Sequence, residues 1–124
     1  MARFRAAIAD PAVRIVLAED GGALLGYLIF GGSRDFHVGL DVGEIRTFFV
    51  RPASWRTGVG SELMEVALAG LDGLGCTEAT VWSFADNARA NAFYERHGFA
   101  RDGSERREEA WANILEVRYR RSLA

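Results

Sequence analysis

The 124-residue chain reads as one small α/β domain over residues 1–124, a mixed and mostly antiparallel twisted sheet with helices packed on it. Three observations predict this. Two strand-like runs flank a glycine turn, one stretch changes to helical spacing, and the tail returns to strand alternation.

The elements follow in order. Residues 2–9 (ARFRAAIA) suggest two helical turns, broken by Asp10-Pro11. Ala12–Ala18 and Ala23–Phe30 read as strands joined through Glu19-Asp20-Gly21-Gly22, where glycine supplies the positive φ of a tight hairpin. A glycine-bearing polar connection, Gly31–Gly43, leads to a third strand, Glu44–Val50, rich in aromatic and β-branched residues and ended by Pro52. From Ser61 the period changes: Leu63, Met64, Ala67, Leu68, Leu71 and Leu74 mark one buried face of a helix, stopped by Gly73 and Gly75. Thr80–Phe84 is a strand, and Ala88–His97 a short helix between the cap candidates Asp86-Asn87 and Gly98. Phe99–Leu123 reads as two strands around Trp111-Ala112-Asn113, with Leu115, Val117 and Tyr119 alternating on one face.

Composition narrows the chemistry. All fifteen basic residues are arginine and none is lysine, which excludes a Walker-type phosphate lysine, a Schiff base and a lysine general base. A net charge of −2 and a pI of about 5.7 argue against nucleic acid as a partner. The single cysteine, Cys76, excludes an internal disulfide framework and a Cys-rich zinc site, so no metal is expected, and it reads as a small buried residue. With neither a signal-peptide h-region nor a membrane-length apolar run, a cytoplasmic protein away from membranes is expected.

Two segments carry chemistry. The first, Val50-Arg51-Pro52-Ala53-Ser54-Trp55-Arg56-Thr57-Gly58-Val59-Gly60-Ser61, lies between a strand and an amphipathic helix. Gly58 and Gly60 let the backbone approach a ligand, the helix start adds unpaired N–H groups, and Arg56 adds charge, a combination suited to an anion such as a pyrophosphate. A bare G-x-G equally suits a turn feeding a helix, and the dinucleotide fingerprint fails because Leu63 stands where its third glycine belongs. The second segment runs from Asn87 to Phe99. Asn87 and Tyr94, seven residues apart, share a helix face; singly they read as a cap and a core tyrosine.

Together these segments resemble the GNAT superfamily of acyl-CoA-dependent N-acetyltransferases. Trp55–Ser61 is similar to its pyrophosphate motif, and Asn87–Phe99 to its N-x-x-A-x-x-x-Y-x-x-x-G-F segment; the element order agrees from about residue 12 onward. The resemblance implies acetyl-CoA as co-substrate, a primary amine on a small molecule or protein as acceptor, and direct attack on the thioester. It implies that Phe48, Phe49 and Val50 offer main-chain groups to the pantetheine arm. It places the pyrophosphate on the amides of Gly58, Val59, Gly60 and Ser61 with Arg56 and Thr57, puts Asn87 against pantetheine, and makes Tyr94 the donor to the departing thiolate. The strand before the glycine loop and Thr80–Phe84 are expected to splay, aided by a bulge.

Direct attack needs a neutral amine, and an amine of pKa about 10.4 is only about one part in 2,500 neutral at pH 7. Some members place a glutamate five residues before the motif asparagine; Trp82 stands there in this chain. Glu44 is the general-base candidate, against a reading as a solvated strand-end charge. His37 in the loop is a lesser candidate, and His97 reads as a cation capping its helix C-terminus. Two features depart from the pattern: Trp55 replaces the common Gln or Arg, and the family's first strand and helix region is expected to be missing. That shortening leaves a second reading, an acyl-CoA-binding sensor or partner-dependent subunit. Phe48, Trp82, Phe84 and Trp111 suit either core or an apolar acceptor site, and Arg101–Leu123 offers strands for a homodimer.

Overall fold

In the computed structural model, residues 2–10, 12–35 and 38–123 are described. The strands are β1 (Arg3–Asp10), β2 (Val13–Asp20), β3 (Ala23–Gly32), β4 (Val42–Val50), β5 (Glu78–Phe84), β6 (Ala100–Arg107) and β7 (Leu115–Ser122). The helices are α1 (Val59–Gly73) and α2 (Ala88–Arg96), with single 3₁₀ turns at Pro52–Ser54 and Glu109–Trp111. The seven strands form one sheet in the order β1-β2-β3-β4-β5-β7-β6, antiparallel throughout except for the parallel pair β4/β5, which α1 connects.

The N-terminal segment differs from expectation. Residues 2–9 do not form helical turns; Arg3–Asp10 is a strand paired from Arg3↔Glu19 to Asp10↔Val13. An alanine-rich stretch favours helix intrinsically, but the edge of β2 offers it a full ladder of hydrogen bonds, and tertiary pairing wins. The first strand is therefore present. Among the described residues no helix lies between β1 and β2, whose last pair is Asp10↔Val13.

The core lies on one face of the sheet. Leu63, Met64, Ala67 and Leu71 of α1 are fully buried, and the same core cluster holds Val16, Ala18, Leu28 and Phe30 of β2 and β3. This is the helical stripe anticipated from the sequence, with Leu74 left exposed beyond the helix end. Gly21 and Gly22 turn the β2–β3 hairpin with φ of +56° and +85°. Cys76 is buried in the core, where desolvation pushes its thiol pKa up, as suits an unreactive packing residue. β7 is an interior strand, so of the two tail strands only β6 presents an edge. Among the described residues, no helix is long and apolar enough to cross a membrane.

Candidate active site

Two neighbouring strands part at the centre of the sheet. β4 and β5 are paired only from Val42↔Glu78 to Ile45↔Val81; beyond that point each continues without the other. The cause is visible in the β3/β4 register, where Ile29 faces Thr47 but Phe30 faces Ile45. Arg46 is the extra residue of a β-bulge, which bends β4 away from β5. The resulting fork opens a cleft of about 660 Å³ lined by residues of both strands, α2 and the β3–β4 connection.

Strand alternation shows which main-chain groups face the opening. The Arg51 N–H donates to Leu25 O at 2.8 Å, so Arg51 turns its amide toward β3. Phe49, two residues earlier, shares that orientation and pairs with Tyr27, whereas Phe48 and Val50 turn their main chain toward the fork. Phe49 thus stands apart from the other two expected contacts: its main chain belongs to the β3 ladder, and its ring lies 5.6 Å from that of Tyr27. The Val50 carbonyl already accepts the Trp55 indole N–H at 2.8 Å, leaving the Phe48 main chain and the Val50 N–H.

The glycine loop sits at the outer end of the fork. Arg56 and Gly58 both have positive φ, +64° and +91°, and Gly58 is the N-cap of α1. The first turn of a helix leaves its N–H groups unpaired, so Val59, Gly60 and Ser61 present donors at the positive end of a fifteen-residue helix. A Cβ on Gly58 would meet nothing within 4 Å, so this concavity has space for a ligand against the backbone. The Thr57 hydroxyl donates to Ser54 O and fixes the loop, which gives Thr57 an internal task. Arg56 is exposed. Trp55, the departure from the family pattern, ties the loop to the end of β4, and Arg89 of α2 stacks on its ring 3.2 Å from the centroid. Arg89 is a cation beside the loop that sequence reasoning missed, because only the fold brings it there.

α2 supplies the helix-side wall. The Asn87 side chain caps the helix, accepting the Ala90 N–H at 3.2 Å. The second asparagine, Asn91, is the buried one: its amide nitrogen donates to Ala85 O (3.1 Å) and Phe84 O (3.4 Å), and its oxygen accepts the Ser83 hydroxyl at 2.6 Å. These bonds lock α2 to the end of β5 and so fix Tyr94 one turn later. A polar residue on the apolar stripe of this helix was the available signal for Asn91. Tyr94 is 7% exposed, lines the cleft and packs against Phe93, Phe99 and Tyr119. Burial pushes its pKa up to about 12, so the hydroxyl keeps its proton at physiological pH.

Glu44 also lines the cleft, but on the other face of the sheet. The Gly43 position abuts Leu71 of α1, so Gly43 and Ile45 face the helices and Glu44 faces away. Its side chain is 3% exposed and, among the described residues, held by Arg34: the backbone N–H (2.9 Å) and Nε (3.3 Å) donate to Oε1, and Nη2 (2.8 Å) to Oε2. Glu44 is therefore neither a solvated charge nor an open base. His97 occupies the end of α2 as expected, but burial lowers its pKa, opposing the cationic form anticipated from the helix dipole. His37 lies outside the described residues.

The face opposite the helices carries a polar network that the sequence did not reveal. The Trp82 indole N–H reaches both oxygens of Asp35 (3.1 and 3.0 Å), Arg118 Nη1 donates to Asp35 at 3.2 Å, and Arg118 Nε to Asp102 at 2.6 Å. Arg106 stacks over Trp82 at 4.2 Å and pairs with both Glu116 and Glu108. Phe84 and Trp111 meet edge to face at 6.2 Å along the same cleft. The opening thus passes through the sheet, with Tyr94 and Phe48 on the helix side and Glu44, Trp82 and Asp35 on the other.

A forked sheet with a glycine-capped helix at the mouth is the frame on which the cleft is built. Residues 1–99 match the acetyltransferase (GNAT) family model, and the chain belongs to that family. It is 35% identical over 91 residues to a mycothiol acetyltransferase of Streptomyces avermitilis, covering 73% of this chain and 28% of that protein. It is 30% identical over 105 residues to an uncharacterized N-acetyltransferase of Mycobacterium bovis, covering 83% of this chain and 63% of that one. A Bacillus anthracis protein solved with acetyl coenzyme A superposes with a TM-score of 0.78 at 17% identity, over 93% of this chain and 65% of that one. The chain thus spans about a quarter of the mycothiol enzyme.

Proposed function

We propose that this chain transfers the acetyl group of acetyl-CoA to a primary amine by direct attack on the thioester. One observation carries the reading: the cleft passes through the sheet where β4 and β5 part, so thioester and amine can meet from opposite faces. The pyrophosphate would lie on the amides of Gly58 to Ser61, with Arg56 and Arg89 as nearby cations and Thr57 bracing the loop. The pantetheine arm would run along β4 beside Phe48 and Val50, near the amide group of Asn87.

The Phe48 N–H faces the fork and is the donor for the oxyanion that forms as the amine adds to the carbonyl carbon. One such donor is worth roughly 3 kcal/mol. The C–S bond then breaks, and the Tyr94 hydroxyl stands on the helix side to hydrogen-bond the leaving sulfur. At a pKa of about 12 the phenol is a weaker acid than a thiol of pKa about 8.5, so its best contribution is hydrogen bonding to the developing thiolate. Net proton balance requires that the amine nitrogen release two protons and the sulfur take one.

The test is CoA thiol release from acetyl-CoA with a panel of alkylamines, amino sugars and amino acid amides. Saturable, amine-dependent release is expected. The second reading, a CoA-binding module without catalysis of its own, draws support from the closure of Glu44 by Arg34 and from the direct run of β1 into β2. CoA binding without thiol release from any amine would favour it over the first.

A further inference from the structure

We propose that Asp35 is the carboxylate that receives the proton of the attacking amine, with Trp82 and Arg118 as the residues that position it. This rests on the acetyl-transfer reading above. Four carboxylates line the cleft: Asp35, Glu44, Glu108 and Glu116. Their partners separate them. Both oxygens of Glu44 are taken by the guanidinium of Arg34, and both oxygens of Glu116 by that of Arg106, at 3.1 and 3.2 Å. Both acids are buried with each oxygen engaged by a guanidinium, Glu44 by that of Arg34 and Glu116 by that of an Arg106 it shares with Glu108. Glu108 sits 42% exposed, paired at 2.9 Å with the same Arg106.

Asp35 is held differently. The donor that touches both its oxygens is the neutral indole N–H of Trp82, which orients the carboxylate without cancelling its charge. Its one close guanidinium, Arg118, bonds Oδ2 at 3.2 Å while sitting nearer to Asp102, at 2.6 Å, so two carboxylates share that cation. Arg106 comes no nearer to this carboxylate than 4.0 Å, from Nη1 to Oδ1. An oxygen with two lone-pair directions and one neutral donor has room for a further N–H or a relaying water.

Its place fits the task. Trp82 follows directly on Val81, the last β5 residue paired with β4, and its ring lies under Arg106 on the face away from the helices. The indole therefore brings Asp35 to the fork from the side opposite Tyr94, where an amine would enter. As the C–N bond forms, the nitrogen becomes cationic and far more acidic than the free ammonium. The Asp35 carboxylate can then take its proton while the C–S electron pair leaves on sulfur, hydrogen-bonded by Tyr94. The first ammonium proton is lost to solvent before attack, the second passes through Asp35 to solvent, and the departing thiolate takes one proton back from solvent, so one proton is released net.

The experiment compares wild type, Asp35→Asn, Asp35→Ala, Trp82→Phe and Glu44→Gln by steady-state CoA release, using acetyl-CoA and the amine best used by wild type. Asp35→Asn, which can still accept the indole hydrogen bond, should lower kcat/KM for the amine by about 100-fold with the KM for acetyl-CoA unchanged. Added formate should restore part of the turnover of Asp35→Ala and none of that of Asp35→Asn. Trp82→Phe should lower kcat less than Asp35→Asn does and have no further effect in the Asp35→Asn background, the coupling expected of a residue acting through another. Asp35→Asn turning over within threefold of wild type, or Asp35→Ala failing to respond to formate, overturns the assignment and leaves acetyl transfer intact. A wild-type chain that releases no CoA with any amine overturns both.

Discussion

Ser61 and His97, thirty-six residues apart in the chain, meet with Oγ 3.1 Å from Nε2 and join the first turn of α1 to the end of α2. The imidazole also stacks on Phe93, 4.5 Å between ring centres, and Phe93 in turn packs on Phe48 of the fork at 5.3 Å. The glycine cradle and the helix-side wall of the cleft are thereby held in one register.

A pH effect follows from that burial. Desolvation is the largest influence on His97 and lowers its pKa; Glu65 of α1 opposes this, while Arg96 of α2 and Arg121 of β7 reinforce it. The unfolded chain therefore binds the proton more readily than the folded one, and stability falls as pH drops below about 6.5. His97→Asn removes the titration. The melting temperature of wild type should decline relative to this variant between pH 7 and 5, and the two should run parallel above pH 7. Parallel curves across the whole range would show that burial does not govern His97.

Tyr94 gives the opposite window. Its pKa rises to about 12 from the usual 10, so the folded state keeps a proton that the unfolded state loses. Stability should fall between pH 10 and 12 by roughly 2 to 3 kcal/mol, a loss that Tyr94→Phe abolishes in alkaline denaturation curves. In the same variant kcat should drop while the KM for acetyl-CoA stays constant, since the ring still fills its place against Phe99 and Tyr119. An unchanged kcat would remove Tyr94 from the reaction.

What the sequence made legible follows from how local each signal is. The β2–β3 hairpin depends on Gly21 and Gly22, adjacent residues with an obligatory backbone geometry, and α1 on a repeating apolar stripe; both are readable in short windows. The loop at Gly58 is of the same kind. Arg3–Asp10 reads as helix from sequence because its helical propensity is local while its pairing with β2 is not. Asp35 was missed because its contact with Trp82 spans 47 residues and its loop has no period to read. Glu44 was placed on the correct strand and beside the cleft, but nothing in its neighbours announces that Arg34, ten residues earlier, closes it.

The Arg34–Glu44 pair should respond unequally to the removal of either partner. The Arg34 side chain is 56% exposed, so Glu44→Gln leaves a guanidinium that water can resolvate, and the glutamine oxygen still accepts the Arg34 amide. Arg34→Met instead strands a buried carboxylate without its counter-charge. The expected cost is about 1 kcal/mol for Glu44→Gln and about 3 kcal/mol for Arg34→Met, measured by urea unfolding. Equal losses in the two variants would contradict the asymmetry.

Gly58 and Gly60 separate fold from ligand binding. At Gly58 the φ of +91° strains any L-residue, so Gly58→Ala should cost about 1 to 2 kcal/mol of stability although no atom stands in its way. Gly58→Asp adds a negative charge beside the unpaired amides and should abolish CoA binding measured by calorimetry. Gly60 has no such backbone demand; its Cβ would stand 3.4 Å from the rings of Phe48 and Phe93 and 3.5 Å from Val50, a fit that needs little adjustment. An alanine within the first turn is also the better helix former, by about 1 kcal/mol. Gly60→Ala should therefore melt at or above the wild-type temperature, while its methyl group narrows the helix-side wall of the fork and raises the KM for acetyl-CoA. Loss of stability without loss of acetyl-CoA affinity would mean that Gly60 serves packing and that the co-substrate runs elsewhere.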